Sequence, residues 1–482
     1  MPEKYHIDTK AAPPRFTPVG KFGIVDFNED CAGACKNCVK KQCIYEVYRK
    51  EGVFNREIDG PAHYLYTCMN CLRCVQGCTR AVLTRVVNPE YRWLGDDYWK
   101  PDIVLTLWYQ AETGKLPVSG AGYRGPFAGP GFDSMWTDMS EIVRPTRDGI
   151  HGREYISTGV DIGRKHAALV FDDNGDIALD PLPLVENPIP FIFQKPPFGD
   201  YSPGMHEAFA RAAHQMRALF ILDAADITKN LLPYRDCIAP RVKRADIQKY
   251  ANHIKAARLV ELVYGADYKA GMAAISKLNP GAVVSLYAPL DARSHTLASR
   301  LAAEGAACIH FRADTHGRAA GGEFIKDAFR RIHTLLVEQG WRDQITLIAS
   351  GGIALPEHMA KMIICGADAV ATGIPFLLAL ECRMCMNCAR GLACPVDIRG
   401  VAPDYGAQRI VNLSAAWRNQ LLEVLGAMGL REVRRLRGET GRAMFIEDLE
   451  ASAFGKIFGD RKKSGSRTRA QQSKSPRKRG AQ

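Results

Sequence analysis

The chain has 482 residues, 46% hydrophobic and 24% charged, an ordinary globular composition with room for about three domains at roughly 150 residues each. No apolar run approaches the roughly 18 residues that span a bilayer, and the start MPEKYHIDTK lacks the basic-then-apolar pattern of a secretory leader, so a cytoplasmic protein with reduced thiols and no membrane span is expected. The formal charge of +12 is concentrated in residues 459–482, where nine Lys/Arg against one Asp give +8; this Ser/Lys/Arg-rich stretch has no aromatic residue and reads as a basic, disordered, solvated tail, so specific nucleic-acid binding is not expected.

Residues 1–110 hold eight of the fifteen cysteines. The second run, Cys68-x2-Cys71-x2-Cys74-x3-Cys78, has the spacing of a bacterial ferredoxin, in which the chain wraps one cubane and turns backbone amides toward the sulfides. The first, Cys31-x3-Cys35-x2-Cys38-x4-Cys43, is looser. Together they predict two [4Fe-4S] clusters in a ferredoxin-like domain, with fourth ligands exchanged between the runs. Structural zinc is the alternative, although it favours paired C-x2-C units across a longer loop. The proline that usually follows the fourth cysteine is replaced by Ile44 and Thr79. Residues 111–180 read as an irregular connector, LPVSGAGYRGPFAGPGF, followed by a hairpin, HAALVFDDNGDIAL, around a DNG turn.

From residue 181 to 401 short apolar runs alternate with amphipathic helices. Strands are predicted at 189–193, 218–222, 258–263, 283–287, 308–312, 346–350 and 369–372. Repeated β-then-α units imply an α/β fold with a parallel sheet closed as a (β/α)8 TIM barrel, here one strand short of eight. A third motif, Cys382-x2-Cys385-x2-Cys388-x5-Cys394, follows the last strand directly. The lone Cys237, Cys308 and Cys365 read as small buried hydrophobes. Residues 402–458 form a C-terminal helical region, SAAWRNQLLEVLGAMG being the clearest stretch.

Two successive strand ends carry glycine: TLIAS ends in Ser350 before Gly351-Gly352, and AVA precedes Thr372-Gly373. Glycine there lets backbone amides approach a phosphate, although simple turns use it too. Lys195, Tyr287, Arg312, Asp314 and His316 fall at strand ends, where side chains of a barrel face the active site. Lys195 and Arg312 are candidates to hold an anionic group, and His316 is a candidate general acid or base. The plain alternative for each is a loop ion pair or a buried filler.

The stretch ASGGIALPEHMAKMIICGADAVATGIPFLLALECRMCMNCARGLACPVDI resembles the flavin-binding end of the glutamate synthase FMN domain, and the chain is most similar to short archaeal-type members with an N-terminal ferredoxin module. LNPGAVVSLY and LRGETGRAMF extend the likeness over about 181–450. The resemblance implies that Ser350, Gly351, Gly352, Thr372 and Gly373 bind FMN and that Cys382, Cys388 and Cys394 bind a flavin-proximal cluster. Cys385 is additional in a motif that often holds [3Fe-4S], so this cluster is [4Fe-4S] or [3Fe-4S]. A redox partner protein or NAD(P)H-oxidising subunit in a hetero-oligomer is implied as well.

Departures fall on the chemistry. Gln194-Lys195-Pro196-Pro197-Phe198-Gly199 replaces the family's Met-Ser-Phe-Gly-like turn, Tyr287 replaces a lysine, and Arg312–Arg318 replaces a glycine-rich stretch. Between Val263 and LNPG a strand and the 2-oxoglutarate loop are expected to be missing. Pro2 excludes an N-terminal-nucleophile glutaminase beginning here. The expectation is therefore an iron–sulfur flavoprotein oxidoreductase resembling glutamate synthase, acting on an unknown, altered substrate. The alternative is a non-catalytic iron–sulfur electron-transfer or assembly subunit.

Overall fold

Short β-branched runs cannot bury both faces alone, and after residue 188 they do so by closing on one another. The protein, described as a computed structural model, is defined over residues 5–16, 19–26, 43, 70–116, 128–137, 155–199 and 202–458. Cys31, Cys35, Cys38, Cys68 and the 459–482 stretch lie outside the described residues.

The N-terminal part contains an antiparallel pair, β1 (Phe22–Asp26) with β2 (Leu83–Val87), and between them in sequence the short helix α1 (Arg73–Gly77). Helices α2 (Pro89–Arg92) and α3 (Pro101–Thr113) follow, each with proline in its first turn, where the missing N–H costs nothing. After β3 (Met135–Thr137), the ribbon β4 (Val160–Gly163) and β5 (Leu184–Asn187) covers the N-terminal end of the barrel: the Gly163 amide donates to Thr346 Oγ1 (3.0 Å) at the start of a barrel strand. The predicted hairpin is present as a single bridge, Phe171 to Ile177, with Gly175 at φ 84° in its turn.

The barrel comprises β6 (Phe191–Gln194), β7 (Phe220–Asp223), β8 (Ile238–Val242), β9 (Leu259–Val263), β10 (Val283–Pro289), β11 (Cys308–Arg312), β12 (Thr346–Ser350) and β13 (Ala369–Thr372), all parallel and closed by β13 pairing with β6. Eight strands correct the count of seven. No strand is missing between Val263 and LNPG, where a helix at Tyr268–Leu278 leads straight from β9 to β10. The unrecognised strand is β8, IAPRV, whose proline and arginine break the apolar pattern. Pro240 is accommodated because β7 and β9 pair with the residues around it and fix its extended backbone.

Cys237, Cys308 and Cys365 are buried, as expected for small core residues. The long helix at Pro403–Ala427 joins the ends of the chain. Its buried Arg409 donates to the carbonyls of Ala379 (2.5 Å) and Ala12 (2.6 Å), and Asn412 Nδ2 donates to those of Lys10 (2.7 Å) and Ala111 (2.9 Å). Buried donors are thus satisfied by backbone from the N-terminal segment, which fixes that segment against the barrel. Among the described residues no helix is long and apolar enough to cross a membrane.

Candidate functional site

Alternation along the strands points Arg241 of β8, Glu261 of β9, His310 of β11 and Ser350 of β12 into the barrel interior, where they form one chain of contacts. Arg241 Nε donates to Glu261 Oε2 (2.5 Å), His310 Nδ1 meets Glu261 Oε1 (2.5 Å), and His310 Nε2 meets Ser350 Oγ (2.7 Å). Glu261 and His310 are fully buried. Burial alone would raise the Glu261 carboxyl, but Arg241 and His310 outweigh it and hold the group down at about 2. Tyr287 lies against this chain, its ring centroid 3.9 Å from the Arg241 guanidinium and 5.0 Å from the His310 ring. Arg241 Nη2 and Gln194 Oε1 are buried without a hydrogen-bond partner, one donor and one acceptor at strand ends.

The three predicted catalytic residues do not share one cluster. Lys195 pairs with Asp226 (2.5 Å) and Asp223 (3.5 Å) beside β7. Arg312 is exposed on the rim, 5.8 Å from the Tyr287 ring. His316 Nε2 pairs with Asp96 (2.9 Å) from the segment ahead of α3. Arg241, Glu261 and His310 were not singled out from sequence. A lone polar residue inside each apolar run, RLVELV and CIHFR, was the available signal for two of them; Arg241 was hidden with its strand.

The glycine turns are dense. A Cβ on Gly351 would stand 2.5 Å from the Asp314 carbonyl oxygen, one on Gly352 2.5 Å from Gly317 Cα, and one on Gly373 would strike the Gln194 carbonyl. Close approach of the 313–317 loop and of the end of β6 thus requires glycine at all three positions. Further on, the Ala354 amide donates to the buried His358 Nδ1 (3.2 Å), whose ring burial and the Lys361 charge push down to about 3, so it accepts as a neutral imidazole. Thr372 Oγ1 donates to the Ile353 carbonyl (3.2 Å). Tyr98 Oη donates to the Gly352 carbonyl and Trp99 Nε1 to that of Thr315 (2.9 Å), so the segment ahead of α3 braces this side of the mouth.

The cysteine loops share a backbone signature. Asn70 (φ 58°) and Leu72 (φ 60°) flank Cys71, and Met384 (φ 51°) and Met386 (φ 56°) flank Cys385, all left-handed and none glycine. In both loops the third cysteine, Cys74 or Cys388, then enters a helical turn. Alternating handedness makes successive N–H groups converge, the nest that iron–sulfur and phosphate sites use. The Met384 amide donates to Cys382 Sγ (3.4 Å), and the Cys78 thiol is lowered because amides at 80–83 outweigh its burial. Cys382 is the opposite case: burial pushes its thiol up to about 12, opposed by the Met384 amide and reinforced by Cys394, Cys385 and Cys388. Among the described residues no three His, Cys, Asp or Glu side chains are drawn together closely enough to hold a metal ion. The second loop touches the N-terminal module: Arg383 pairs with Glu90 of α2 (3.6 Å), and its carbonyl accepts from the Gly95 amide (3.2 Å).

A parallel eight-stranded barrel followed at once by a cysteine loop and preceded by a second defines a TIM-barrel protein with cysteine-rich loops on either side of its barrel. Residues 313–431 match the family described as "Conserved region in glutamate synthase". The archaeal-type glutamate synthase [NADPH] of Dehalococcoides mccartyi is 25% identical, covering 86% of this chain and 93% of that protein. The archaeal glutamate synthases [NADPH] of Archaeoglobus fulgidus (24%, 90% and 96%) and Methanocaldococcus jannaschii (26%, 85% and 92%) match over similar spans. The chain is thus similar over most of its length to archaeal-type glutamate synthases, at 24–26% identity.

Proposed function

We propose that the protein is an iron–sulfur flavoprotein oxidoreductase that passes electrons between ferredoxin-type clusters of the N-terminal module, a third cluster in the Cys382–Cys394 loop, and FMN at the barrel mouth. The observation that carries this reading is the repeated left-handed pair around Cys71 and Cys385. Leu72, Met384 and Met386 each cost about 1–2 kcal/mol in that conformation, which Asn70 adopts more readily, and two different sequences place it around the same cysteine. A thiolate-bound cluster receiving the converging N–H groups gives that strain a purpose. Cys71, Cys74 and Cys78 with Cys68 would hold one cluster, Cys31, Cys35, Cys38 and Cys43 another, and Cys382, Cys385, Cys388 and Cys394 the third.

Similarity to the glutamate synthases supports FMN, and the mouth offers a fit in the unpartnered Arg241 Nη2 and Gln194 Oε1, a donor and an acceptor for a heterocycle's edge. Ser350, Gly351, Gly352, Thr372 and Gly373 would lie toward its phosphate. Bound FMN would exchange electron pairs with an organic substrate and single electrons with clusters. Around it, Arg241 would hold an anionic or carbonyl oxygen, and His310, oriented by Glu261, would hold the Ser350 hydroxyl in one direction. A charged Arg241–Glu261 pair and a histidine line the site, while the family's 2-oxoglutarate contacts are altered, so a substrate other than 2-oxoglutarate is the reading here. The relatives' names include NADPH, which supports an NAD(P)H-oxidising partner as electron source.

A second reading, a cluster-bearing subunit without catalysis, is favoured by one observation: the 313–317 loop packs on Gly351 and Gly352 where a phosphate would approach. Anaerobic purification with iron, sulfide and flavin analysis separates the two. About twelve irons and one FMN per chain support the first, twelve irons without flavin the second, and stoichiometric zinc overturns both. With 2-oxoglutarate, an ammonia source and a reduced donor, no glutamate is expected; its formation would refute the altered substrate.

A further inference from the structure

Between Gly163 and Leu184 the ribbon β4–β5 is interrupted by an arm that the redox site does not use, and residues 165–178 of it are exposed throughout. Its base is fixed: the Lys165 amide donates to the Gln344 carbonyl (2.8 Å), and His166 Nε2 meets the Asp180 carbonyl (2.8 Å). Beyond the base the arm is held as a hairpin by its own bonds, from the Asp172 amide to the Asp176 carbonyl (2.9 Å) and from the Ala178 amide to that of Val170 (2.8 Å). Phe171 and Ile177 stand opposite one another across the bridge. Leu169 is 64% exposed, Val170 51%, Phe171 57% and Ile177 60%. Four large apolar side chains at consecutive and directly paired positions make a contiguous patch of a kind that marks an interaction site. The arm is also acidic. It carries Asp172, Asp173, Asp176 and Asp180, with no Lys or Arg between His166 and Gln194, and none of the four forms an ion pair among the described residues.

The same end of the barrel carries the complementary charge. Helices of such a barrel run back against the strands, so their last turns and the strand starts share the end that β4–β5 covers. Lys255 and Lys277 stand in the last turns of the helices Ala251–Ala256 and Tyr268–Leu278, and Arg258 stands just before β9. All three are exposed, and none is ion-paired among the described residues. The acids near them, Glu304 and Glu186, are already taken up by Lys269 (3.2 Å) and Arg434 (3.9 Å). Val337, 54% exposed near the end of the helix Ile325–Glu338, adds an apolar side chain to this rim. We propose that two copies of the chain meet through these ends, each arm reaching across a twofold axis onto the rim of the other copy. Phe171 and Ile177 leave water there, and the arm's aspartates meet Lys255, Arg258 and Lys277 of the other copy. A twofold contact is self-complementary, so each such pairing is made twice. A stable interface takes about 20–30 residues from each side, and the arm, residues 165–182, supplies eighteen before the rim is counted. An anionic bilayer would repel the arm, and a different protein would need the apolar surface and unpaired cations that this chain already has. The mouth at the far end of the barrel stays open, and the surface is independent of the cofactor reading above.

The test is sedimentation velocity of the full chain, cofactors retained, at micromolar concentration. A dimer of twice 53.2 kDa is expected, and added salt should weaken it because exposed charge pairs are screened. Phe171→Gln/Ile177→Gln should raise its dissociation constant at least about a hundredfold at an unchanged circular dichroism spectrum, since both side chains are exposed in the single chain. Charge exchange is the second arm of the test. Asp173→Lys/Asp176→Lys in one chain and Lys255→Glu/Lys277→Glu in another should each weaken self-association at least about tenfold. Mixing the two should restore a dimer, because each arm then meets a rim of opposite charge. A monomeric wild type overturns the proposal. So does a dimer that survives the arm substitutions, or a pair of charge variants that fails to recombine.

Discussion

The barrel interior and the cysteine loops handle polar and strained groups in opposite ways. In the barrel, Lys195, Asp223, Asp226, Arg241, Glu261, His310 and Ser350 satisfy one another across strands. Buried charge is tolerated there because each partner is fixed by a strand whose register is set by its neighbours. In the loops, Asn70, Leu72, Met384 and Met386 hold a left-handed backbone around cysteines, braced by Arg85 donating to Asn70 Oδ1 (2.7 Å) and by Arg390 donating to the carbonyls of Cys385 (2.7 Å) and Met386 (3.4 Å). Cross-strand partners fix most of the barrel's polar groups, leaving Arg241 Nη2 and Gln194 Oε1 over, whereas the loops carry their strain in the backbone beside thiols. On the proposed reading, the barrel fold would keep its shape without cofactors, while the loops would not.

The largest test of that contrast is Cys385→Ser. We expect loss of the third cluster, about four irons per chain, with the N-terminal clusters retained in the low-temperature EPR spectrum. Unchanged iron content would show that Cys385 ligates nothing.

Glu261→Gln attacks the other side. It leaves the buried Arg241 with only the half-exposed Asp223 (3.7 Å) as a charge partner, and we expect a loss of up to about 3–5 kcal/mol in chemical denaturation. Because the folded Glu261 carboxyl lies at about 2, below its ordinary 4.5, its stabilisation is fully present above pH 4.5 and is lost as pH falls from there toward 2. Wild type should show that acid loss, and Glu261→Gln should lack this component.

A smaller effect is expected from Met386→Val, since a β-branched residue tolerates positive φ poorly; about 1–2 kcal/mol should be lost from cluster retention, measured by iron release to a chelator. Met386→Gly should retain the cluster as well as wild type does, and the same pair of substitutions at Leu72 tests the N-terminal loop. Smallest of all, Asp96→Asn removes a half-exposed pair with His316 and should cost under about 1 kcal/mol by thermal melting. A larger cost would mean that the brace at the mouth carries more than a surface ion pair.

The positions expected from sequence and those found differ in an instructive way. The glycines at 351, 352 and 373 were read as ligand contacts, and each also proves necessary for loop packing. His316 looked like an acid–base residue because it follows a barrel strand, yet its partner Asp96 lies 220 residues earlier in the chain. Nothing local to RADTHGR signals that pairing.

What the sequence determined by itself is local. Cysteine spacing marked the loops, β-then-α alternation marked the barrel, glycine after two strands marked its tight turns, and a run of Lys/Arg located the excess charge. Each rests on residues within one turn or one strand of each other, where covalent geometry limits the outcomes. Tertiary structure alone decided that IAPRV is a strand, since its extended backbone is fixed by the neighbours on either side and not by its own propensity. It also decided which charges meet inside the barrel, because the chain from Arg241 to Ser350 joins four strands from across the barrel and exists only once their register is fixed.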